Sequence, residues 1–160
     1  MPIRKSIPGA ARLLVAVDFS DCSRHALSKA TEMISGVQGR MIVLHVIDQR
    51  FVQECLRRRI GAPEQIKKQL FVDAKTQLKE FLQEEGLDGD HVKAVVCEGI
   101  PHQQIARQAE KLKVDMIVMG SCGMVGDTDA IFFGGTAEKV LRFISRPVLC
   151  VPPPSDERKG

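Results

Sequence analysis

The sequence predicts an α/β domain, with five strands in a parallel sheet and helices on both faces. Three observations carry this prediction. Apolar, β-branched runs recur along the chain, and amphipathic helical patterns separate them. The runs are near-continuously hydrophobic, as strands covered on both faces are, rather than strictly alternating. Strand and helix in regular alternation imply right-handed crossovers and an open α/β sandwich.

The first strand is read at residues 13–17, Leu-Leu-Val-Ala-Val. A helix over 20–35 follows, with Ser20 as N-cap and Ala26, Leu27, Ala30, Met33 and Ile34 inward. The second strand covers 41–47, and residues 48–62 form a long, basic connection after it. The helix over 63–85 carries an i, i+4 ladder of Ile66, Leu70, Ala74, Leu78 and Leu82, and Gly86 stops it. The third strand, 92–97, is less uniform. Pro101 opens the next helix, since proline at its first position has no N–H to leave unpaired; Ile105, Ala109 and Leu112 face inward. The fourth strand is 114–119. A last helix over 135–144 turns Val140, Leu141 and Ile144 inward, and a fifth strand at 147–151 closes the sheet.

Composition bounds the function. At 160 residues, 44% hydrophobic and 27% charged, the chain suits one soluble domain and excludes disorder, collagen and coiled coil. Its apolar runs are far shorter than the roughly 20 residues of a membrane helix, so no membrane partner is expected. Residues 1–10 carry no apolar stretch behind their basic residues and are read as an extension, not a secretory signal. Residues 153–160 are read as a disordered tail. Five cysteines without a CxxC pair point to free thiols and a cytoplasmic setting. A net charge of +3, its excess confined to residues 50–69, does not argue for nucleic acid. Cys22 and His25 have no second ligand pair at zinc spacing.

In an open parallel sheet, ligands sit beyond the carboxyl ends of the strands, where strand order reverses. After the fourth strand, five of the 13 glycines fall between Gly120 and Gly135. Glycines there let backbone N–H groups converge on an anion, and the following helix adds its positive end. The loop is no Walker motif, because no lysine follows its last glycines. It is no dinucleotide fingerprint either, because the turn after the first strand has no glycine.

These features, in this order, resemble the universal stress protein family. Met119-Gly120, then Gly-x-x-Gly at 120–123, a spacer and Gly134-Gly135-Thr136 resemble its ATP-binding signature. Val15-Ala-Val-Asp-Phe-Ser20, Leu44-His-Val46, Glu98-Gly-Ile-Pro101, Ala137-Glu-Lys-Val-Leu-Arg142 and Pro147-Val-Leu-Cys-Val151 resemble its other segments, so the likeness spans about residues 12–152. The resemblance implies strand order 3-2-1-4-5 over a domain at 11–152. It also implies a homodimer paired through Val148–Val151, with ATP or AMP as ligand and Mg or Mn as a possible companion ion. Carried over, Asp18 would bond the ribose or help to place the metal, and Val46 and the backbone at Val17 would hold adenine. Met119 and Gly120 would line the ribose and α-phosphate, while Gly123, Gly134, Gly135 and Thr136 would donate to phosphates. Plainer roles exist for some of them: helix N-cap for Asp18, strand core for Val46 and Met119.

The match has one departure. Ten residues stand between Gly123 and Gly134, one more than the family pattern. Either Gly135 replaces the hydroxyl position, or Gly135-Thr136 is the true pair in a longer loop. Asp127 and Asp129 lie in that loop, with no Arg or Lys between Gly123 and Gly134 to offset them. The reading is therefore a nucleotide-binding dimer that acts in stress response through an unidentified protein partner. A dimeric scaffold without nucleotide and a slow ATPase are the alternatives.

Overall fold

The computed structural model describes residues 11–59, 61–122 and 134–154. The expected extension over 1–10, the tail beyond 154, and Gly123, Asp127 and Asp129 lie outside the described residues. In chain order the elements are β1 (Ala11–Ala16), α1 (Asp21–Ile34), β2 (Gly39–Asp48), α2 (Gln49–Arg58) and α3 (Pro63–Glu84), then β3 (Val92–Gly99), α4 (Pro101–Lys111), β4 (Met116–Gly120), α5 (Gly135–Phe143) and β5 (Val148–Val151). The sheet is parallel throughout, in the order β3-β2-β1-β4-β5, as expected.

Alternation along the central strands divides the core into two layers, because successive side chains in a strand point to opposite faces. Leu13, Val15, Val17 and Val43 face α1 and α3, where they meet Leu27, Leu78 and Phe81. Leu14, Ile42, Leu44 and Met119 face α4 and α5, where they meet Ile105, Ala109 and Val140. Both layers are apolar, which is why the strands read as unbroken apolar runs.

Local chemistry sets the helix ends. The Ser23 amide donates to Ser20 Oγ at 3.1 Å, so Ser20 caps α1. Pro63 and Pro101 open α3 and α4. Gly86 takes φ +68° after α3, and the Leu87 amide returns to the Leu82 carbonyl at 2.9 Å, so a left-handed glycine ends the helix.

Three expectations need correction. Residues 49–58 are not a connection but the helix α2. Met33 is 43% exposed, on the rim of the α1 stripe. Leu141 is also 43% exposed, because α5 lies toward the sheet's β5 edge and the rim of its apolar face is uncovered.

Candidate functional site

β1 lies between β2 and β4, so strand order reverses between the carboxyl ends of β1 and β4. A cleft of about 990 Å³ opens there. Its walls come from the ends of β1, β2 and β4 and from the starts of α2, α4 and α5.

The first wall is the β1–α1 turn. The Val17 amide closes the last backbone bond to the Leu44 carbonyl at 2.9 Å. Asp18 then accepts from the Ser20 amide at 3.0 Å and from the Ser20 hydroxyl. Its own amide meets Ser23 Oγ at 3.3 Å. The helix cap is thus Ser20, and Asp18 stands one step before it, lining the cleft. Between them Phe19 adopts φ +67°, a left-handed conformation that strains a bulky residue. Its ring sits 4.4 Å from that of His45 and 5.5 Å, edge-on, from Phe81. Those contacts hold the turn where the sequence alone would not put it.

His45 on β2 places Nδ1 2.9 Å from the Val17 carbonyl. A carbonyl only accepts, so Nδ1 carries the proton and the neutral ring donates. Burial pushes His45 below its ordinary value, against smaller upward pulls from the Val17 carbonyl and from Asp18. The linkage sign follows: the unfolded state takes up a proton first, so stability is full above the unfolded pKa and falls as pH drops below it. Urea titrations between about pH 7.5 and pH 5 should show a steeper acid loss for wild type than for His45→Gln. Equal slopes would remove His45 from that role.

The second wall is the glycine turn. Met119 is buried and Gly120 sits against Cys22. The Ser121 amide donates to the Val151 carbonyl at 2.9 Å, and the Gly134 amide to the Ser121 carbonyl at 2.7 Å. The Val151 carbonyl also lies 3.5 Å from Cys22 Sγ on α1. Gly134 is the N-cap of α5 and offers no side-chain cap, leaving Gly135 first and Thr136 second in the helix. The opening N–H groups of such a helix point outward with a positive dipole end.

The third wall was not foreseen. Asp48 caps α2 by accepting from the Arg50 amide at 2.9 Å, and it also holds the Arg50 guanidinium at 2.9 and 3.3 Å. That guanidinium keeps the Asp48 carboxyl below its ordinary range. Val52 and Cys55 are buried against Ile47, Ile66, Leu70 and Ala74. The spacing of Val52, Cys55 and Leu56 at i, i+3 and i+4 was the signal that could have revealed α2. Arg57 and Arg58 both pair with Glu54. Arg59 and, across the cleft, Lys139 line the cavity without an ion pair to any other described residue.

Of the residues singled out from the sequence, Val17, Asp18, Val46, Met119, Gly120, Gly134, Gly135 and Thr136 all line this one cleft. Gly123 is outside the described residues. His102 and Cys122 line it too. Among the described residues no group of three or more His, Cys, Asp or Glu is placed to hold a metal. No helix among them is long and apolar enough to cross a membrane.

Sheet order and cleft define an open α/β domain whose cavity sits at the switch point of the sheet. Residues 10–152 match the model of the universal stress protein family, and the chain belongs to that family. It is 30% identical over 152 residues to universal stress protein MJ0577 of Methanocaldococcus jannaschii, covering 88% of this chain and 93% of that one. The solved structure of MJ0577 superposes with a TM-score of 0.75 over 89% of this chain and 95% of that chain. Two more distant structures share the fold. One is a universal stress protein in complex with cAMP, at 18% identity and TM-score 0.59, covering 88% of this chain and 95% of that chain. The other, from Archaeoglobus fulgidus, is in complex with dAMP, at 20% identity and TM-score 0.55, covering 91% and 99%.

Proposed function

We propose that the chain binds an adenine nucleotide, ATP or AMP, in the switch-point cleft and acts in stress response as a homodimer that a protein partner reads. One observation carries this reading: eight residues chosen from the sequence, scattered from Val17 to Thr136, line a single cavity. Relatives of the same fold in complex with cAMP and dAMP support adenine as the base.

In this reading Val46 and the Val17 backbone hold the base, and Asp18 meets the ribose. Met119 and Gly120 line the ribose and α-phosphate. The amides of Gly135 and Thr136, with Gly123, take the phosphates; the Gly134 amide, expected to donate as well, is already bonded to the Ser121 carbonyl, so Gly134 only lines their approach. Lys139 and Arg59 supply the positive charge that the loop sequence lacks. Asp18 fits a Mg or Mn ion carried in on the phosphates, since such ions bind through one or two carboxylates and phosphate oxygens. The dimer forms at β5, which pairs with β4 alone among the described strands and leaves its own Leu149 exposed. An apolar edge strand of this kind favours association. None of the five cysteines is in a disulfide, and we place the protein in the cytoplasm.

The test is a melting curve with ATP and Mg²⁺. At a concentration of about 100 Kd, binding adds about 2.7 kcal/mol of stability. For a chain of this size that raises the melting temperature by roughly 5–10 °C. Sedimentation of the same sample should give the dimer mass. No shift with either ATP or AMP would sink the nucleotide reading, and a monomer mass would sink the dimer.

A further inference from the structure

The cleft contains an exposed aromatic ring that neither the family motif nor the site described above uses. Phe51 stands in the first turn of α2 and lines the cavity, yet 55% of it is open to solvent. Among the described residues lining the cleft, it is the one large apolar side chain left exposed. Its neighbour Val52 is 1% exposed and, with Cys55, fixes the helix against α3. Successive residues on a helix are turned about 100° apart, so anchoring Val52 inward holds Phe51 off the core. The helix itself is held to the end of β2 by the Asp48 cap. The ring is therefore mounted on a fixed support at the carboxyl end of β2, in the cleft that the aliphatic side chain of Val46 also lines.

An exposed apolar ring that shares a cleft with an aliphatic strand end is suited to a flat aromatic group between them. The chain has no Trp and no Tyr, and Phe51 is the phenylalanine among the described residues that line the cleft. We propose that Phe51 is the base-stacking residue of this protein, closing over the outer face of the purine while Val46 meets its inner face. This deepens the nucleotide reading and rests on it. Stacking is indifferent to the phosphates, so Phe51 acts equally on adenosine, AMP and ATP.

The absence of Trp makes the test direct. Phe51→Trp gives a protein with a single indole, at an exposed position that tolerates the change. The indole emission of this variant should be quenched saturably by adenosine, AMP and ATP, and should not respond to ribose 5-phosphate. In equilibrium dialysis, Phe51→Ala should weaken AMP and ATP by the same factor, roughly tenfold, a loss typical of removing one base–aromatic stack. Its melting temperature without ligand should match wild type. If ATP protects wild type from melting but the emission of Phe51→Trp is unchanged by nucleotide, or Phe51→Ala binds as tightly as wild type, the stacking role is overturned and nucleotide binding stands. If wild type binds no nucleotide at all, both fall together.

Discussion

Gly135→Val should abolish the ATP-dependent melting shift while the protein without ligand melts as wild type does. The two halves of this result have separate causes. A Cβ built at Gly135 meets no atom of the described residues within 4 Å, so it has room for a side chain among them. The residue is exposed at the first position of α5, where the substitution is expected to change stability by less than about 0.5 kcal/mol, or roughly 1–2 °C for this length. The position is the point: Gly135 lines the cleft, beside N–H groups that in the proposed mode donate to phosphate. A branched side chain there keeps the anion out of hydrogen-bond range. Losing one or two hydrogen bonds to a charged group weakens ATP by roughly 100-fold. Isothermal titration checks the binding half and a melting curve the folding half. Wild-type affinity in the variant would move the phosphates elsewhere.

Gly120 presents the opposite case, and Gly120→Val should lower stability before any question of ligand arises. A Cβ at this position would sit 2.8 Å from Cys22 Sγ, 3.1 Å from the Cys22 carbonyl carbon and 3.2 Å from the Cys122 carbonyl oxygen. Two of those three atoms are backbone and cannot rotate away. Overpacking of this sort costs about 1–3 kcal/mol for a methyl group, and the larger valine should reach the top of that range or exceed it. The urea midpoint should fall accordingly. Cys22→Ala in the same chain should recover only part of the loss, because it removes the sulfur and leaves both backbone contacts. Full recovery would show that the thiol, not the close approach of α1 to the end of β4, requires glycine.

The same two glycines mark what could be read from the chain in advance. The strands were legible because burial on both faces leaves a long apolar trace, and α3 because its ladder runs through five successive i, i+4 positions. The cleft residues are legible in the order and spacing of short motifs, although each motif alone is weak. What was missed depends on contacts between distant residues. α2 has a short buried stripe of Val52 and Cys55 amid arginines, and only its docking on α3 gives that stripe a partner. Arg59 and Lys139 are 80 positions apart, and nothing local to either says that they share a cavity. The left-handed Phe19 is set by the rings of His45 and Phe81, so no turn signal in the sequence announces it. Met33 and Leu141 were assigned inward by periodicity, which gives the direction of a face but not how wide the neighbouring surface is.

The Val151 carbonyl receives the Ser121 amide and the Cys22 thiol, and the next carbonyl, Pro152, lies 2.7 Å from His25 Nδ1. The last strand thus fastens both the glycine turn and the first helix, which begin 30 and 130 residues earlier. During synthesis the chain emerges from its amino end. The β1–α1 turn that carries Asp18 is made first, but its clasp arrives last. A ribosome-bound fragment ending before Val151 has every residue the cleft needs from Val17 to Thr136 and the β1–β4 pairing that sets their register, but not the carbonyl that ties the glycine turn to α1. That last fastening between the two walls is made only when the end of the sheet is in place.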